Sequence, residues 1–267
     1  MHSIMMAGRN VLARQWRHRP FAKSLLLGCL AAVVLSAPAE AQMKTFTWVD
    51  GMCNGKLRYD PKKLDVKALD ATTKLLSSDA TIPVAPHIAT PADVARIDTA
   101  SFERECAGEL DKLRQATLPI DGIEEYRALR VRHVQDACAF GLALLRGYSD
   151  PKALRTYTPA SPLCDRFVDA LEGKSDFDAV WKRAVDEGCA DNASPQRCKA
   201  RYETEAAGPD GAAHKRLYLI TFGWNNCANN SIAYNTDAGT KERQTLQAKL
   251  SKAFVRTYRA KFVCEKP

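Results

Sequence analysis

The chain has 267 residues, with 39 basic and 31 acidic side chains and a formal net charge of +8. The first 41 residues hold five of those bases and one of the acids, so the remainder carries +4. So small an excess, with no run of Lys and Arg interleaved with aromatic residues, excludes a nucleic-acid groove.

The N-terminal segment is built in three parts. Arg9, Arg14, Arg17, Arg19 and Lys23 precede an apolar run from Leu25 to Ala37, and Ala39-Glu40-Ala41 follows with small residues. This is the layout of a cleavable secretory signal, so residues 1–41 are expected to be removed and the mature chain to start at Gln42. The apolar run is shorter than the roughly 20 residues that cross a bilayer, and no later segment comes close, so no membrane span is expected. Leu26-Leu27-Gly28-Cys29 has the look of an acylation site. The apolar core nevertheless continues from Leu30 to Ala37, past the cysteine at which a lipoprotein signal would stop, so cleavage after Ala41 is the preferred reading. The expected location is the bacterial periplasm or the cell exterior.

Losing the leader discards Cys29 and leaves Cys53, Cys106, Cys138, Cys164, Cys189, Cys198, Cys227 and Cys264. An even set in an oxidising compartment predicts four disulfides. The one pairing that local spacing suggests is Cys189 with Cys198, closing the loop between two predicted helices. There is no C-x-x-C ligand pair and no haem attachment motif, and the mature histidines are only His87, His133 and His214, so neither a metal nor another cofactor is expected. The bridges read as staples rather than as reactive thiols.

Taken in chain order, the mature N-terminus (42–63) reads as a short β-hairpin: Thr45 to Val49 alternates in strand fashion, Asp50-Gly51 and Asn54-Gly55 mark turns, and Lys56 to Tyr59 returns. A helix follows over Leu64 to Ser77. Thr81 to Thr90, with Pro83 and Pro86, reads as an extended connector and the best candidate for a boundary. Helix then succeeds helix. Thr90-Pro91 is a start signal, and pattern resumes from Ser101 to Ala116. Asp121-Gly122 opens a long helix in which Ile123, Val131, Val134, Cys138, Leu142 and Leu145 share one stripe, turning Cys138 inward. Asp150-Pro151, Ser161-Pro162, Asp176 and Ser194-Pro195 start shorter ones, and the last is expected over Thr240 to Val263 with Cys264 in phase. The fold class is mainly α: one compact multi-helix domain over 42–267, with a hairpin appendage, cross-linked by disulfides.

The most unusual stretch runs from Gly223 to Ser231. On a helix capped by Asp210, Leu217, Ile220, Trp224, Cys227 and Ser231 line one face while Asn225, Asn226, Asn229 and Asn230 share the other. Asparagine is a poor helix former, so such a helix must be held by its buried face and the Cys227 bridge. Four amides supply donors and acceptors without charge, which suits a polar protein surface or a sugar, although a merely solvated face also accounts for them.

Other constellations are weaker. His133 and Asp136 have the i,i+3 spacing of a base and its orienter, but no nucleophile accompanies them, and a surface or edge histidine is the preferred reading, as for His87 and His214. Glu103, Glu105, Glu109, Glu124 and Glu125 are available for carboxylate chemistry, but helix pairing and the helix dipole account for them. Arg104, Lys112, Arg114, Arg127, Arg130 and Arg132 read as solvated helix faces, with docking of an acidic partner as the sharper alternative. The function these features favour is a non-enzymatic protein-binding module, inhibitor-like or immunity-like, working through a polar helical face. The alternative is a hydrolase of cell-wall or other carbohydrate using unidentified carboxylates.

Overall fold

The computed structural model describes residues 56–59, 82–115, 120–160, 162–258 and 262–265, all within one compact unit, residues 41–267. The expected leader, the strand at Thr45–Val49, the helix at Leu64–Ser77 and Cys53 lie outside the described residues.

Helices make up most of what is described. They are α1 (Pro91–Val94), α2 (Thr99–Gln115), α3 (Ile123–Gly147), α4 (Pro162–Leu171), α5 (Phe177–Cys189) and α6 (Pro195–Ala207). Then come α7 (Gly211–Tyr218), a π-helical segment Leu219–Trp224, α8 (Asn225–Asn229) and α9 (Asp237–Tyr258), with short 3-10 turns at Pro151–Thr156 and Ala233–Asn235. Their starts follow the sequence signals. Gly122 takes a left-handed φ of 84° at the entry to α3, where a side chain would be strained, and the Asp176 carboxylate accepts from Ala179 N at 3.0 Å. No described helix is long and apolar enough to cross a membrane.

Of the predicted hairpin, the returning strand falls among the described residues. Lys56–Tyr59 (β1) is a strand, but its partner among the described residues is the C-terminal Phe262–Glu265 (β2), antiparallel, with Leu57 opposite Cys264. Cys264 therefore sits on a strand and not in phase on the last helix. The last helix is described as far as Tyr258, and Val263, expected within it, lies in β2.

Helix α3 is the centre of the fold and is buried on two faces. Of the stripe expected from the sequence, Ile123, Val134, Cys138 and Leu145 are buried, and with Tyr126 and Leu129, which it did not include, they pack against Phe102 and Leu113 of α2 and Leu250 and Phe254 of α9. The second face, which the stripe did not include, sends Phe140, Ala143 and Leu144 into a larger core with α4, α5 and the α7–α8 rod. Gly141 permits the close approach of α2, since a Cβ there would sit 2.5 Å from the Phe102 ring. Three disulfides tie these layers: Cys106–Cys138 joins α2 to α3, Cys164–Cys227 joins α4 to α8, and Cys189–Cys198 joins α5 to α6 as expected.

Two surface assignments are overturned. His133 is 2 % exposed and Arg130 is 0 % exposed, so neither belongs to a solvated face. Both lie where α9 closes over α3, a packing that local periodicity could not reveal. Arg104, Lys112, Arg114 and Arg132 do remain exposed.

Candidate functional site

The amide face is positioned by a rod that changes its pitch. Leu217, Ile220, Trp224 and Ala228 bury one side of the α7, π and α8 segments. Trp224 stacks on Phe140, with ring centroids 5.6 Å apart and planes 9° from parallel. Gly223 lets α4 approach, because a Cβ would meet the Phe167 ring at 2.6 Å. With Cys227 bonded to Cys164, these contacts hold in place a helix that its asparagines would not favour.

Three of the four asparagines line one cavity. Asn225, half-buried, and Asn226 and Asn229, both exposed, line a cavity of about 320 Å³, whereas Asn230 is exposed and outside that lining. Across from the amides run Pro83 to His87, and the inner wall is Phe140, Leu144 and Tyr148. Tyr148 and Thr221 share a hydroxyl hydrogen bond of 3.0 Å at this wall. Burial pushes the Tyr148 phenol above its ordinary value, and the Thr221 bond partly offsets this. Asn229 is already engaged: Asn235 Nδ2 donates to its carbonyl at 2.9 Å and to its Oδ1 at 3.2 Å, closing the end of α8. Asn225 and Asn226 are the other amides that line the cavity.

The segment 82–90 was expected to be a linker and is instead a strap. Pro83 and Ile88 are buried, Ile88 in the larger core, while Val84 stands 77 % exposed. The prolines signalled extended backbone correctly. Nothing local to them announced that the segment crosses the rod and forms a wall of the site.

The expected catalytic candidates have other work. Asp136 accepts from the Tyr157 hydroxyl at 3.1 Å and from Ala233 N at 2.5 Å, latching the 3-10 turn after α8 to α3. His133 has no hydrogen-bond partner at Nδ1, and burial, reinforced by the charges of Arg130 and Arg243, pushes its pKa down to about 4. Glu103 pairs with Arg146, Glu109 with Lys112, Glu124 with Arg127 and Glu125 with Lys249, while Glu105 is exposed. Among the described residues, three carboxyls are held below their ordinary values: Asp93 through its bonds to Thr90, Glu172 through Lys174 and Arg155, and Asp186 through Lys199. A general acid needs the opposite shift. Among the described residues, no three His, Cys, Asp or Glu side chains gather as a metal site would require.

No family model matches this chain, and neither a curated protein nor a solved structure does.

Proposed function

We propose that this chain is an exported, non-enzymatic binding module of the periplasm or cell exterior, inhibitor-like or immunity-like, that holds a protein partner on the polar face around Asn225, Asn226 and Asn229. One observation carries the reading: three amides converge on a single cavity of about 320 Å³ whose lining contains no Asp, Glu, Lys or Arg. A protruding backbone turn or a Ser, Thr, Asn or Tyr side chain can exchange hydrogen bonds with such amides, and no charge has to be desolvated. The disulfides support the exported setting, and the rigid rod supports recognition without rearrangement. For carbohydrate hydrolysis, the downward shifts at Asp93, Glu172 and Asp186 provide no general acid.

The test is affinity capture from periplasm with mature, oxidised protein and with two single variants. A near-stoichiometric partner should be lost on Asn226→Asp, which puts a charge into the cavity, and kept on Asn230→Asp. Equal capture by wild type and a folded Asn226→Asp variant would remove this face from consideration. If wild type captures nothing, the carbohydrate reading becomes the one to assay, by cell-wall hydrolysis.

A further inference from the structure

A second cavity, of about 270 Å³, lies on the other side of the strap and shares only His87 and Thr221 with the amide cavity. Its chemistry is different. Tyr202, Tyr218 and Phe222 form a ring cluster at this wall: Tyr218 meets Tyr202 edge-on at 4.5 Å and Phe222 in a stack at 4.9 Å, and Tyr202 and Phe222 are 6.1 Å apart. Tyr218 is fixed by donating to Ala184 O at 3.2 Å. Phe222 is 42 % exposed, although Leu217, Tyr218, Leu219, Ile220 and Trp224 of the same rod are buried. It lies within the π-helical segment, a geometry that is uncommon and tends to persist where function needs it.

The charged side chains in the lining are Lys215, Arg201 and Glu205, with His87 and His214 beside them. Both cations are oriented: Arg201 by Glu205 at 3.0 Å, and Lys215 by Asp178 at 2.7 Å, with its ammonium 5.0 Å from the Trp181 ring. Each retains further N–H donors for a ligand. A cavity of about 150 Å³ accepts benzene, so this one has room for a ring and an acidic substituent but not for a nucleotide.

We propose that this cavity is a binding site for a small single-ring aromatic carboxylate, its ring against Tyr218 and Phe222 and its carboxylate on Lys215 and Arg201. The site is independent of the partner-binding face. Titration calorimetry of the mature, oxidised protein with 4-hydroxybenzoate, and with 4-hydroxybenzamide as the neutral isostere, tests it. One-to-one binding is expected, at least tenfold tighter for the acid. Phe222→Ala, at an exposed position that should not disturb folding, should weaken it fivefold or more, and Lys215→Gln should remove most of the preference for the acid. Asn226→Asp should leave the affinity unchanged. The proposal is overturned if folded protein gives no binding at millimolar 4-hydroxybenzoate, or if acid and amide bind equally. Affinity that survives Phe222→Ala, or that is lost with Asn226→Asp, overturns it as well.

Discussion

The two faces of α3 are buried in opposite ways. Toward α4, α5 and the rod, the interior is apolar and aromatic: Phe140, Tyr157 and Trp224 stack and meet edge-on within 6.4 Å, and two disulfides, Cys164–Cys227 and Cys189–Cys198, brace that layer. Toward α9, the interior also takes in Arg130 and His133, and one disulfide braces it. The amide cavity opens against the first face, where Phe140 and Leu144 form part of its wall, while the second cavity lies beyond the strap and is lined by the rod, α5 and α6. The amide cavity is thus backed by dense aromatic packing, and the buried Arg130 and His133 are not in its lining.

The sharpest way to break this contrast is to hollow the aromatic side. Trp224→Ala removes a side chain that is 1 % exposed and should cost about 3–5 kcal/mol, read as a large fall in Tm, with the amide face disturbed as well. A loss below about 1 kcal/mol would mean that the stack is not what holds the rod.

Disulfide removal ranks the braces next. If each bridge acts by limiting the unfolded chain, opening Cys164–Cys227, with its separation of 63 residues, should cost about 4 kcal/mol. Opening Cys106–Cys138, separation 32, should cost about 3.5 kcal/mol, and Cys189–Cys198, separation 9, about 2.5 kcal/mol. Denaturant unfolding of the paired Cys→Ala variants gives the order, and a reversed order would place the stabilisation in native contacts. Non-reducing peptide mapping should return these three pairs and join the remaining two cysteines, Cys53 and Cys264. Free thiol at both would limit the bridges to three.

The pH dependence sharpens the other face. The folded pKa of His133, about 4, lies below its ordinary 6.5, so the unfolded chain takes up the proton first. Its contribution is therefore complete above about pH 6.5 and is lost as pH falls toward 4, by up to about 3 kcal/mol. His133→Leu should flatten that window and change stability at pH 7 by less than about 1 kcal/mol, since it also removes the unpartnered Nδ1. An unchanged acid limb in the variant would assign the loss to other groups.

What could be read locally was read correctly where a single residue type enforces geometry. Pro151, Pro162 and Pro195 open the elements expected of them, and Cys189 pairs with Cys198 because nine residues bring two helix ends together. The stripe of α3 was legible only in part: one face followed the expected periodicity, but the second is defined by what packs on it. The amide site divides in the same manner. Helical spacing placed all four asparagines together; Asn225, Asn226 and Asn229 line the cavity, while Asn230, the cap residue after α8, does not.

By itself, then, the sequence determined a mainly helical, disulfide-linked chain and the run of asparagines, because helix starts, stops and covalent spacing act over a few residues. Tertiary structure alone decided that the strap of residues 82–90 forms cavity walls, that Lys56–Tyr59 pairs with the C-terminus, and that His133 and Arg130 are buried. Each of those depends on contacts between segments distant in the chain, and their free energy comes from surfaces that no local window contains.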